Sequence, residues 1–132
     1  NDGGYKWSQV HAFCYDTGER FFSPATGSRL IRHSKNGKLY WIGNIVPRNP
    51  DGNRPRYPLQ IAEVNEAQIG LIKDTISVIE DRREEDSALV QFSNFKVYED
   101  RESGELVLTM ARIQEKGEEL TSPAYEYSIW MP

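Results

Sequence analysis

Ser28-Arg-Leu-Ile-Arg-His33, then Asn36-Gly37, then Lys38-Leu-Tyr-Trp-Ile-Gly-Asn-Ile45 is the stretch whose reading decides the fold class. Two apolar-rich runs flank a dipeptide in which both positions tolerate positive φ, so the spacing predicts a β-hairpin with a two-residue turn. Leu39 to Ile42 is nearly continuously apolar, as expected of an inner strand covered on both faces. Upstream, Val10 to Tyr15 predicts a strand and Asp16-Thr-Gly18 its turn. Downstream, Val46-Pro-Arg-Asn-Pro-Asp-Gly-Asn-Arg-Pro55 is a loop, because its prolines remove ladder donors. Arg56 to Val64 predicts the next strand, with Pro58 implying a bulge or an edge position near its start. Ile76, Val78 and Ile79 predict a short strand, and Asp81-Arg-Arg-Glu-Glu-Asp86 a solvated charged loop. Leu89 to Tyr98 and Glu105 to Ile113 predict a second long hairpin around Glu99–Gly104. Ala124 to Trp130 alternates, with Tyr125, Tyr127 and Ile129 on one side. Glu63, Glu66, Ala67 and Gln68 favour helix, but Gly70 and the apolar spacing allow at most a turn or two there.

Composition sets outer bounds. The 132 residues are 38% hydrophobic and 11% aromatic, enough to fill one core. Sixteen basic and 20 acidic residues give a formal charge of -4, which provides no attraction for nucleic acid or an anionic membrane. No apolar run reaches the roughly 20 residues of a membrane span. Asn1-Asp-Gly-Gly4 has no basic segment followed by an apolar one, so no signal peptide is expected there, and it carries no initiator Met. Cys14 is the lone cysteine and forms no intrachain disulfide. No Asn-x-Ser/Thr acceptor occurs. His11 and His33 lack the spacing of a metal pair, and Glu63, Asn65 and Glu66 lack a glycine-bounded calcium loop. No metal or cofactor is expected.

Cys14-Tyr-Asp16-Thr-Gly18-Glu-Arg20-Phe21 resembles the Asp-box of sialidases, Ser-x-Asp-x-Gly-x-Thr-Trp. In that box the Asp accepts turn N–H groups, the Gly adopts positive φ, and the aromatic residue plugs the space between strands. Asp16, Gly18 and Phe21 hold these three places. Next come Ser23-Pro-Ala-Thr-Gly-Ser28, then Asn36-Gly-Lys-Leu39, Asn44, and Arg56-Tyr-Pro-Leu59. Their order is similar to that of the sialidase (neuraminidase) superfamily, whose repeats build an Asp-box β-propeller. Ser93-Asn-Phe95 and Gly104-Glu-Leu-Val-Leu108 continue the pattern. Val64-Asn-Glu-Ala-Gln-Ile-Gly-Leu71 stands where a second box would fall.

The resemblance implies an all-β fold and a partial β-propeller of two to three four-stranded antiparallel blades, with residues 1–132 forming its C-terminal part as a single domain. Blades of ~40–50 residues leave the propeller incomplete, so the missing blades are expected from another chain or from copies of this one. The alternative is a self-standing β-sandwich. An extracellular or periplasmic location is also implied by the resemblance.

Sialidases hold the substrate carboxylate with three arginines, because a guanidinium fork matches two carboxylate oxygens. Arg56 falls at the third arginine's place, and Arg54, two residues earlier, shares its side if the chain is extended. Asn44 and Tyr57 join them as candidates for glycan contact. The family's nucleophile is a tyrosine, and Phe92 in Gln91-Phe-Ser-Asn94 occupies its place without a hydroxyl. The implied function is a sialidase-like glycoside hydrolase fragment acting on or binding a glycan, without the usual nucleophile. The alternative is a non-catalytic carbohydrate-binding or interaction module. Tyr40, Trp41 and Trp130 are assigned mainly to packing.

Overall fold

The computed structural model describes residues 4, 6–115 and 121–131; the Asn1-Asp-Gly start of the signal-peptide reading lies outside them. The chain is all-β, with strands β1 (Cys14–Tyr15), β2 (Arg29–Arg32), β3 (Leu39–Asn44), β4 (Leu59–Asn65), β5 (Gly70–Leu71), β6 (Ser77–Glu80), β7 (Gln91–Phe92), β8 (Lys96–Glu99), β9 (Leu106–Ile113) and β10 (Ala124–Ile129). Residues 66–69 form a single turn between β4 and β5, within the turn or two that the sequence allows there, and a short 3-10 turn, Lys73–Thr75, follows β5.

Two open sheets result. In the first, β2, β3 and β4 are antiparallel neighbours, and the far edge of β4 is shared by β6 at one end and β5 at the other. β1 then pairs parallel with β5. In the second sheet, β9 pairs with β10 on one side and with β8 and β7 on the other, all antiparallel. The expected long strand at 89–98 is broken into β7 and β8, with Asn94 at φ +58° between them. Asn tolerates the left-handed region better than most residues.

The sheets meet face to face. Tyr40, Ile42, Leu59 and Ile61 of the first pack with Phe92, Leu106, Leu108 and Met110 of the second. Alternation along each strand puts these residues on one face, as a period of two requires. The opposite face of the first sheet carries Trp41, Ala62 and Val64, which meet Phe13, Tyr15 and Phe21 from the N-terminal segment. Leu39 to Ile42 is thus covered on both sides, as its continuous apolar run predicts.

Three local expectations change. Only Cys14–Tyr15 of the Val10–Tyr15 run forms a strand, since its one ladder partner, β5, is two residues long. The hairpin turn is longer than two residues: His33 N–H donates to Lys38 O and Gly37 N–H to His33 O, and Gly37 has φ +71°. The Asn36 amide supports this longer loop, with Oδ1 accepting the Lys38 N–H at 3.0 Å and Nδ2 donating to the Tyr40 hydroxyl. Finally, the charged loop 81–86 is not solvated throughout, because Asp86 is buried. Near Pro58 the register of β4 against β6 shifts between Leu59 and Gln60, which is the irregularity the proline implies.

Candidate functional site

Arg56, Asn44 and Phe92 converge, through the backbone of Phe92. The Phe92 N–H donates to Arg56 O at 2.9 Å, and Asn44 Nδ2 donates to Phe92 O at 3.2 Å. Asn44 is buried at the end of β3. Its Nδ2 also reaches Pro58 O at 2.9 Å, and its Oδ1 accepts the Thr26 hydroxyl at 3.3 Å. This amide ties the start of β4 to β7, so it fastens one sheet to the other. Arg56 is half-buried, and two of its three guanidinium nitrogens are engaged: Nη1 donates to Gln91 Oε1 and Ser93 Oγ, and Nε to Asn53 O. These bonds hold the guanidinium against the wall.

Arg54 and Tyr57 stand differently. With Arg48, Asn49, Asp51 and Leu89 they line an open groove of about 400 Å³. Arg48 and Arg54 are exposed, and neither guanidinium has a partner among the described residues. Tyr57 packs its inner side against the core between the sheets and lines the groove as well. Such a concavity offers two cationic forks, one carboxylate and one aromatic edge, a set suited to a polar, anionic ligand.

Phe92 is fully buried, and its ring meets a group that sequence reasoning missed. Arg112, in β9, is also fully buried, with its guanidinium carbon 4.9 Å from the Phe92 ring centre and 5.7 Å from that of Tyr125. Three carboxylates surround it. Nη2 lies 2.6 Å from Asp86 Oδ2 and Nε 3.1 Å from Glu115 Oε1. Nη1 lies 2.8 Å from Glu80 Oε2, an ion pair without hydrogen-bond alignment. The Tyr125 hydroxyl donates to Glu115 and the Tyr127 hydroxyl to Glu80, each at 2.9 Å.

Burial opposes the charge on Arg112, but Glu80 and then Asp86 outweigh it and hold the guanidinium more firmly protonated than usual. Burial likewise works to raise Asp86. The Arg83 N–H and the Arg112 guanidinium reverse this and leave its carboxyl below the ordinary range. Burial, reinforced by Glu80, pushes the Tyr127 phenol up to about 12. A signal for this cluster exists in the sequence. Leu106, Leu108 and Met110 point inward, so Arg112 falls at the same parity, and a core-facing charge requires partners.

The Asp-box-like segment forms a tight turn, with Gly18 at φ +83° and its N–H donating to Tyr15 O. Asp16 Oδ1 accepts the Lys73 N–H at 3.3 Å, so it clasps the 3-10 turn of a neighbouring segment. Phe21 lies among Phe13, Tyr15 and Trp41, with ring centres 5.2 to 6.0 Å away. His33 is buried, with Nε2 2.7 Å from Gly104 O. Glu63 pairs with Lys38 and Glu66 with Arg32. Tyr40 and Trp41 are core residues, whereas Trp130 is exposed. Among the described residues there is no metal-binding cluster, and no helix is long and apolar enough to cross a membrane.

No family model, curated protein or solved structure matches this chain.

Proposed function

We propose that the chain is a glycan-binding part of a sialidase-like β-propeller and that it acts without a tyrosine nucleophile. The groove between Arg48, Arg54 and Tyr57 receives an acidic sugar. The observation that carries this is the pair of partnerless guanidiniums at Arg48 and Arg54 beside the Tyr57 ring. A bidentate fork on a sugar carboxylate supplies orientation, and the aromatic edge supplies apolar contact. Arg56 and Asn44 brace the wall behind that groove.

The sheet order is compatible with blades. β2, β3, β4 and β6 form a four-stranded antiparallel meander in chain order, and β8, β9 and β10 form a three-stranded one packed against it. In this reading the remaining blades come from another chain or from further copies. Hydrolysis by this chain is disfavoured, because Phe92 has no hydroxyl and its ring is sealed against Arg112.

The test is calorimetric titration of the protein with sialylated, uronic-acid-bearing and neutral oligosaccharides. Acidic sugars should bind, and the double variant Arg48→Ala, Arg54→Ala should weaken them by at least tenfold, since each lost charge-assisted contact is worth about 1.5–3 kcal/mol. Equal binding of neutral and acidic sugars, or no effect of the double variant, would refute the reading.

A further inference from the structure

Sheet edges expose unpaired backbone donors and acceptors, and proteins guard them with charges, bulges or short strands. Most outer strands here follow that rule. β2 carries Arg29 and Arg32 at its two ends, β1 and β7 are two residues long, and β8 begins on Lys96. β6 meets β4 through a register shift and runs into the charged segment 81–86. β10 is the least defended of them, a six-residue strand with a single charge. It pairs with β9 over six consecutive positions without a bulge, and no other backbone bond reaches it among the described residues. Its only charge is Glu126.

We propose that this edge is a docking surface for the β10 strand of a second copy, joined antiparallel about a two-fold axis through Tyr127. A two-fold axis perpendicular to the sheet keeps inward residues opposite inward ones, so the axis must pass through a residue rather than between two. Passing it through Glu126 would set two carboxylates face to face, which is unfavourable. Passing it through Tyr127 sets Tyr125 opposite Ile129 and Glu126 opposite Ser128, each twice. It also lays Trp130 over Ala124 of the other copy. Trp130 is 74% exposed in the single chain, and Ala124 is exposed as well, so the register covers a large ring that the fold leaves uncovered. Pro123, which has no N–H, ends the pairing just before Ala124. The contact is isologous and closed, so it yields a dimer and not a fibre. It stands without the glycan reading, because it involves none of the groove residues.

The register dictates a charge test at Ser128, an exposed position. Ser128→Glu faces Glu126 of the other copy twice, whereas Ser128→Lys gives it an opposite charge twice. In sedimentation experiments over a wide concentration range the full chain should show a reversible dimer. The two variants should separate in dimer affinity by roughly tenfold, with lysine the tighter. Trp130→Ala should weaken the dimer without involving charge. Circular dichroism should show all three folded. A chain that stays monomeric with Ser or Lys at 128 overturns the proposal. So do Glu and Lys variants that weaken the dimer alike, or a dimer indifferent to all three changes.

Discussion

The Arg112 guanidinium lies 4.9 Å from the centre of the Phe92 ring, and neither side chain reaches solvent. A cation over an aromatic face in a dry site is worth up to about 2 kcal/mol. The ring also closes one side of a chamber whose other walls are the carboxylates of Glu80, Asp86 and Glu115 and the Tyr125 ring. Phe92→Ala therefore removes a core ring and opens the chamber. It should lower unfolding free energy by about 3–5 kcal/mol, measured by urea titration. Phe92→Tyr should not create glycosidase activity, because the added hydroxyl would lie where no substrate reaches. Turnover of a chromogenic sialoside by that variant would contradict this assignment of the ring.

Asp86 joins the loop after β6 to β9, with Oδ2 2.6 Å from Arg112 and 2.8 Å from the Arg83 N–H. Its folded pKa is depressed, so its stabilising contribution is present above the ordinary aspartate value near about 4. That contribution disappears as pH falls through the folded pKa. The protein should lose stability in this acid window. Asp86→Asn should show a smaller fall there and a loss of about 3–5 kcal/mol at neutral pH, because it leaves Arg112 buried with one carboxylate fewer. Denaturant midpoints measured from pH 7 down to about 3 check both effects. Identical acid profiles would mean that the loss comes from other carboxylates.

The strands were largely legible because period-two patterning shows which residues point inward. Leu39–Asn44 lies where the continuous apolar run after the Asn36-Gly37 turn predicts, Leu106–Ile113 within the expected second arm of the later hairpin, and Ala124–Ile129 where the alternation predicts. Val10–Phe13 has the composition of a strand yet stays unpaired, since a strand needs a partner and composition does not supply one. The convergence of Arg56, Asn44 and Phe92 came from their order in the chain. Their chemistry was less visible: Arg56 donates to Gln91 and Ser93, 35 and 37 residues away, as well as to Asn53, and no local pattern marks such partners. The Arg112 cluster draws on β6, the following loop, β9 and β10, with separations up to Glu80–Tyr127. No local pattern records such distances, and the charged run 81–86 masks Asp86 among neighbours that are exposed.

Tyr127 marks the alkaline side of the same chamber. Its hydroxyl donates to Glu80 Oε2 at 2.9 Å, and its pKa is pushed up to about 12 by burial and then by that carboxylate. A tyrosine whose folded pKa lies above its unfolded value of roughly 10 holds its proton more tightly when folded. Its contribution is complete below the unfolded pKa and is lost as pH rises through the folded one. Phenolate absorbance at rising pH should therefore show a late-ionising phase whose last part Tyr127→Phe deletes, since Tyr15 and Tyr125 are also raised. The same variant should be less sensitive to alkaline unfolding between about pH 10 and 12. An unchanged late phase in Tyr127→Phe would reassign it to another tyrosine.

Gly43 sits between Ile42 and Asn44 in β3, where glycine usually weakens a strand. Its lack of a side chain is required by Trp41. A Cβ built at Gly43 would lie 2.4 Å from Trp41 Cζ2 and 2.7 Å from Cη2. The indole cannot readily retreat, because it is buried among Phe21, Ala62 and Leu71. Gly43→Ala must therefore shift either the ring or the strand. A shift of the strand would carry Asn44 with it and loosen its bond to Phe92 O, which fastens the two sheets. The expected loss is about 1–3 kcal/mol in thermal or urea unfolding, typical of overpacking. Gly43→Ala with Trp41→Phe should recover part of it, since the smaller ring vacates the contested space. A Gly43→Ala protein as stable as the parent would show that the indole moves freely and that this glycine is not needed for packing.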